Sequence, residues 1–286
     1  MSLILPSCYI IIVFIVGILY TLIKISLGEI MLNDKIKVRI TSFLSLMLTN
    51  DALAFEFIKK DSSPNMNAFM NKLIPNLFYI RKQRREQIKH EIQHLKTTPY
   101  YDDLEQISIS LDSVITQVFF SYEFDEPLDE ELWIRPTSET LPIFDEIYHE
   151  ETAITTLEMS AYIRNLLEEY ARLPLYKREH LTFKKEDDLM AEAYYTDKMV
   201  SLTYDDVRYK VSMLKRMFGF MYNQSNYVLC YDPQNNVIKS FSLYKIKNPY
   251  IINQPAQVSD TVLTELDEII DSHSFIEQET FKIKGV

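Results

Sequence analysis

The sequence predicts an α+β protein: an N-terminal strand followed by two helices, an acidic helical spacer, and a C-terminal run of short strands sized for a small β-barrel. Three observations carry that expectation. Residues 34–41 alternate apolar and cationic side chains with the period of two that a half-buried strand requires. Residues 43–96 and several stretches of 100–195 repeat apolar side chains at helical spacing. Beyond residue 198 the apolar runs shorten to strand length between polar turns.

Composition removes several classes of function. A chain of 286 residues, 47% hydrophobic, holds enough apolar matter for more than one core and is not a disordered protein. Four glycines leave no Gly-rich loop to cradle a phosphate on backbone N–H groups, which excludes Rossmann and P-loop chemistry. Cys8 and Cys230 are too few for a zinc knuckle or a disulfide framework. The net charge of −11 conceals an asymmetry: residues 31–96 hold 12 Lys/Arg against 6 Asp/Glu, whereas residues 97–286 hold 17 against 34. A basic module on an acidic body is the footprint of a protein that touches a polyanion with one end.

Residues 1–30 stand apart. Residues 3–22 are uncharged and long enough for one transmembrane helix, so one reading is a single-pass anchor with a membrane partner. The other is translated upstream sequence, because codons for Gly28-Glu29-Ile30 can spell a ribosome-binding purine run before Met31. That second reading leaves a cytoplasmic protein starting at Met31.

The basic module, 31–96, begins with the alternating strand. Ile36, Val38 and Ile40 point one way, and Lys35, Lys37, Arg39 and Thr41 the other. Phe43, Leu44, Met47, Leu48, Ala52 and Phe55 then mark a first helix, and Phe69, Met70, Leu73 and Leu77 a second, entered through Asp61-Ser62-Ser63-Pro64-Asn65 and bent at Pro75. A lone strand with two unpaired edges on roughly sixty residues makes a marginal core, so two copies are expected to pair strand to strand as a homodimer. The resulting ribbon suits the major groove of double-stranded DNA. Residues 34–80 resemble the ribbon-helix-helix family. The resemblance implies that Lys37, Arg39 and Thr41 read bases, and that Asn65, Met66 and Asn67 hold a phosphate at the second helix N-terminus. Arg81, Arg84 and Arg85, from the run Arg81-Lys82-Gln83-Arg84-Arg85, are candidates for further backbone contacts.

His90-Glu91-Ile92-Gln93-His94 is a literal H-E-x-x-H, the spacing of a zinc protease. Lys89 and Lys96 flank it in a polar helix, and Asp102, Asp103 and Glu105 follow only after the Thr97-Thr98-Pro99 break. The expectation is a solvated linker helix without metal, and a chain without catalytic residues.

The acidic spacer, 97–195, is punctuated by Pro127, Pro136, Pro142 and Pro174 and contains Trp133, the only tryptophan. Leu157, Ala161, Leu166 and Tyr170 mark a helix that faces a core, and Lys177 or Arg178 is expected beside a neighbouring acid, the alternative being a ligand. From 196 to 252 the predicted strands are 199–204, 209–215, 227–231 and 237–246, the last two joined by the turn Asp232-Pro233-Gln234-Asn235-Asn236. Residues 227–232 and 239–246 together are similar to the WYL domain, with Asn226 and Val228 where the family has its Trp and Leu. That resemblance implies an Sm/SH3-like barrel in a bacterial transcription regulator. It also implies a pocket for a nucleotide or single-stranded nucleic-acid ligand, lined by Tyr227, Tyr231 and Lys245 with Tyr204 and Lys239 beside them. Ser242 stands where the family commonly carries an Arg.

The order of modules over 31–250 resembles clostridial-type WYL regulators, which include accessories of RNA-targeting CRISPR effectors. Such proteins continue into a further dimerising domain; residues 281–286 resemble its first strand, so 253–286 reads as a truncated C-terminal extension. The expected function is a dimeric DNA-binding transcriptional regulator whose WYL barrel senses a ligand, with no cofactor. The alternative is an RNA- or single-strand-binding accessory that modulates a CRISPR or other nuclease system.

Overall fold

Strand β1 (Ile36–Ile40) buries Val38 and Ile40 and leaves Lys37 and Arg39 exposed, as its alternation requires. The computed structural model describes residues 35–96, 126–151, 157–218 and 225–283. The hydrophobic segment 3–22, Cys8, the 97–99 break with Asp102, Asp103 and Glu105, and residues 284–286 lie outside the described residues. Among the described residues no helix is long and apolar enough to cross a membrane.

β1 pairs antiparallel with β2 (Glu130–Ile134), in register from Ile36↔Ile134 to Ile40↔Glu130. This corrects two expectations. The spacer was to be helical, yet Pro127 and Pro136 bracket a segment too short for a helix, and Leu132 and Ile134 turn inward while Glu131 and Trp133 turn out. The strand was also read as having two unpaired edges within the chain, and β2 fills one of them.

Helix α1 (Ser42–Ala54) buries Leu44, Leu48, Asp51 and Ala52, one face of a 3.6-residue repeat. It stops at Glu56, which takes a left-handed φ of 61°, with the Phe57 N–H donating back to the Ala52 carbonyl at 2.8 Å. In a chain this poor in glycine such positions fall to polar residues. Asp205 and Asp206 (φ 46° and 62°) make the two-residue turn between β3 and β4, and Asn236 (φ 51°) closes the next hairpin but one. Helix α2 (Met66–Lys96) starts on Asn65, whose Oδ1 accepts from the Ala68 N–H at 3.2 Å, and continues through Pro75. Helices α3 (Leu141–Glu146), α4 (Met159–Ala171), α5 (Leu175–Thr182) and α6 (Lys184–Tyr195) follow, with a π-helical turn at Ile147–Glu151.

The C-terminal strands are β3 (Lys198–Tyr204), β4 (Val207–Phe218), β5 (Asn226–Asp232), β6 (Val237–Ser242), β7 (Lys247–Pro255) and β8 (Thr280–Lys282). They form one antiparallel sheet in the order β7-β3-β4-β5-β6-β8. The expected closed barrel is corrected: among the described residues the sheet is open, with β7 and β8 at its edges. Two sequence features account for it. The strand foreseen over 237–246 stops at Ser242 and turns through the 3₁₀ segment Leu243–Lys245. The strand foreseen as the start of another domain instead docks on β6, Ile238 facing Phe281. Helix α7 (Asp260–Asp271) covers part of one face, packing Val262, Leu266 and Ile269 on Leu214, Tyr227, Leu229 and Ile238.

The chain divides into two compact units, Met1–Ser42 with Ile88–Asn165, and Phe43–Gln87 with Leu166–Val286. In the first, the buried apolar residues include Val38, Ile40, Leu132, Ile134, Phe144 and Tyr162. In the second, Phe55, Phe57, Phe69, Tyr170, Phe183 and Tyr244 form a chain of ring contacts 5.3–6.5 Å apart between centroids.

Candidate nucleic-acid interface

The outward face of the β1–β2 pair is set by register. Lys37 lies opposite Trp133 and Arg39 opposite Glu131, so all four side chains share the solvent side. Trp133 is 48% exposed, an unusual state for the largest aromatic side chain. The Lys37 ammonium lies 5.4 Å from its ring centre and also pairs with the Glu131 carboxylate. Lys37, with help from Arg39, holds that carboxyl below its usual range despite the opposing effect of desolvation. Arg39 makes no ion pair among the described residues. An open cleft of about 570 Å³ adjoins the pair, lined by Lys37, Arg39, Leu157, Glu158, Ala161 and Arg164 among others. Arg164 is fixed there by donating to the Arg39 carbonyl at 3.1 Å. Three cations, the two carboxylates of Glu131 and Glu158, and one exposed indole thus meet at one surface.

Of the residues expected to contact DNA, Lys37 and Arg39 are exposed there, and Thr41 is not: it is 4% exposed, at the point where strand gives way to helix α1. Asn65 spends its side chain on the α2 cap, and the Asn67 carbonyl accepts from Asn71 Nδ2 at 2.8 Å. Arg81 turns inward, 8% exposed, and pairs with Glu169 at 3.2 Å. Arg84 is exposed, and Arg85 lies half-buried at 3.9 Å from Glu86. His90 is exposed on α2, and among the described residues no three His, Cys, Asp or Glu side chains gather as a metal site would need. Sequence reading passed over Trp133, Glu131 and Arg164. The alternation of Glu131-Leu132-Trp133-Ile134 between two prolines was the available signal for the first two.

The five pocket residues foreseen in the C-terminal unit are divided by the pleat. Tyr204, Lys239 and Lys245 come together: Tyr204 packs on Phe241 at 4.9 Å, Lys245 Nζ sits 5.7 Å from the Tyr204 ring centre, and Lys239 Nζ lies 5.2 Å from that of Tyr209. Tyr209 meets Phe241 at 5.4 Å, closing an aromatic floor under two lysines. Both lysines have protein partners, Lys239 at 3.0 Å from the Thr280 hydroxyl and Lys245 at 3.8 Å from Asp205. The Tyr204 hydroxyl donates to Glu279 at 3.2 Å, and burial pushes its pKa up to about 12. Tyr227 and Tyr231 alternate with Val228 and Cys230 on β5 and face the other way, into the cluster under α7. Tyr231 further donates to Asn236 Oδ1 at 2.8 Å.

Two buried polar clusters lie within the second unit. Arg178 makes a two-pronged pair with Asp51 at 2.7 and 2.9 Å, and Tyr170 donates to the same carboxylate at 2.8 Å. This is the acid expected beside Arg178. Glu179, 1% exposed, accepts from the Asn226 backbone and side chain at 2.7 and 2.9 Å and from the Tyr244 N–H at 3.3 Å. Burial outweighs these bonds and raises its carboxyl to about 7.

No family model and no curated protein matches the sequence. A solved structure described as that of a CRISPR Cas-related protein has a similar fold, with a TM-score of 0.55 at 12% sequence identity over 81% of this chain. This chain spans 65% of that protein's length, and at such identity the likeness is one of fold.

Proposed function

We propose that the chain is a nucleic-acid-binding accessory protein that holds a single strand on the β1–β2 face, in the setting of a CRISPR or related nuclease system. The observation that carries the reading is the exposed Trp133 ring under Lys37, on the face it shares with Arg39 and next to the cleft that Lys37, Arg39 and Arg164 line. An exposed ring stacks a base and flanking cations take its phosphates, a pairing that single strands offer and stacked duplexes do not. A ribbon read against the major groove fits less well. Thr41 is buried and Glu131 places a carboxylate among the cations. The setting is suggested by the CRISPR Cas-related protein of similar fold. The cluster of Tyr204, Tyr209, Phe241, Lys239 and Lys245 is the proposed ligand pocket of the WYL-like part, suited to a nucleotide with its ring on tyrosine and its phosphate near lysine. The reading involves no catalytic step.

A second reading, the dimeric DNA-binding regulator, is favoured by one observation: among the described residues β1 is paired along one edge only, leaving another for the same strand of a second copy. One experiment separates the two. Fluorescence anisotropy with a labelled 20-mer of uridylate, of thymidylate and a 20-bp duplex, alongside sedimentation of the protein, is expected to give tighter binding to single strands. Preference for the duplex by a dimer overturns the first reading in favour of the second.

A further inference from the structure

The sheet face that carries α7 is only partly covered. Toward β7 it carries a second group of side chains that none of the sequence motifs includes. Register aligns them across three strands: Tyr250 of β7 faces Ser201 of β3, which faces Lys210 of β4, and Lys247 faces Thr203, which faces Arg208. Directly paired residues share a side of the pleat, and Ser212 opposite Tyr231 ties this side to the one under α7.

Arg208 is held in place on this surface. Its Nε donates to the Ser201 hydroxyl at 2.8 Å and its Nη1 to the Thr203 hydroxyl at 3.3 Å, while the guanidinium carbon sits 4.7 Å from the Tyr250 ring centre. Ser201 is 1% exposed, so the anchor is rigid, whereas Arg208, Lys210, Lys247 and Tyr250 are exposed. None of the three cations pairs with a carboxylate among the described residues. In residues 97–286, which hold twice as many acids as bases, cations left without acids are out of keeping with the local composition. The Tyr250 hydroxyl is lowered from its usual range by the Ser201 hydrogen bond and then by Arg208, with Lys210 adding to it and no acid opposing.

We infer that Arg208, Lys210, Lys247 and Tyr250 form a second contact surface for single-stranded nucleic acid, with a base stacked on Tyr250 and phosphates at the three cations. This deepens the proposed function and rests on its assignment of nucleic acid as the partner. A protein acid would satisfy the cations but leaves the flat exposed ring without a role, whereas a single strand uses both.

The test uses the full chain and a fluorescein-labelled 20-mer of uridylate, read by anisotropy for total binding and by quenching of Trp133, the only tryptophan, for the β1–β2 face. Tyr250→Ala is expected to weaken anisotropy-detected binding about tenfold, with Tyr250→Phe restoring it, because stacking needs the ring and not the hydroxyl. Arg208→Ala with Lys210→Ala is expected to flatten the salt dependence by about one to two in log–log slope. The midpoint of Trp133 quenching is expected to stay put in all of them. Wild-type affinity and salt slope in these variants, with quenching intact, overturn the second surface and leave the first. Sensitivity to Tyr250 with no quenching of Trp133 overturns the β1–β2 reading and leaves this one. No binding of the 20-mer by the wild-type chain overturns both.

Discussion

Arg178 and Arg39 are the same residue type with opposite surroundings, and the contrast explains how this molecule divides stability from recognition. Arg178 is 8% exposed and locked by the Asp51 carboxylate, the Leu173 carbonyl at 2.6 Å and the network through Tyr170 and Thr182. Arg39 is exposed, with its backbone carbonyl bound by Arg164 and no ion pair of its own among the described residues. A buried, saturated cation has nothing to offer a ligand and much to lose on deletion, whereas an exposed one has the reverse. The largest expected effect follows. Asp51→Ala should destabilise the fold by about 3–5 kcal/mol in urea unfolding, because it leaves the Arg178 charge buried without its partner. Arg39→Ala should stay within about 0.5 kcal/mol of the wild type in the same assay. Equal losses from the two variants would remove the distinction.

Glu179 sharpens the same contrast by pH. Its folded carboxyl titrates at about 7, above its free value of 4.5, so the folded chain holds the proton more tightly than the unfolded one. Its contribution is fully present below about pH 4.5 and is lost as pH rises through about 7. Stability should therefore fall across that window by something on the order of 3 kcal/mol at most, and Glu179→Gln should remove that part of the pH dependence. Thermal melts of the two proteins from pH 4.5 to 8 measure it. An identical slope in both assigns the dependence elsewhere.

Local chemistry was readable in the sequence, and pairings between distant segments were not. Alternation marked β1, helical spacing marked α1, α2 and α4, and the Asp232–Asn236 turn set the β5–β6 hairpin, since each is decided within a few residues. Strand β2 was missed because nothing near Glu130 announces that β1, about ninety residues earlier, needs a neighbour. Openness of the sheet was missed for a like reason, as the docking of Thr280–Lys282 on β6 decides it. Lys37 and Arg39 were legible because a strand's period of two fixes their face. The same period separates Tyr227 and Tyr231 from Lys239, and reading β5 and β6 in register would have shown it.

Binding measurements test the exposed side of the contrast. Arg39→Ala should weaken the uridylate 20-mer about tenfold and lower the salt slope by about one, with the melting temperature unchanged. Trp133→Ala should weaken it comparably through lost stacking, and Trp133→Phe should recover part of the loss. If Trp133→Ala binds as the wild type does, the ring is no platform and the cations alone define the face.

The smallest effect has the most informative sign. Glu131 is the one carboxylate on the outward face of β1–β2, and it holds the Lys37 ammonium in an exposed pair. An exposed pair contributes little to the fold, so its removal should leave the melting temperature alone. The same removal takes a negative charge from a surface proposed to meet phosphate and frees Lys37 to meet it. Glu131→Gln should therefore tighten the 20-mer about two- to threefold at low salt, with the gain fading as salt rises. A variant that binds more weakly would mean that Glu131 positions Lys37 over Trp133 more than it neutralises it, and the face would then be a built site in the manner of Arg178 and Asp51.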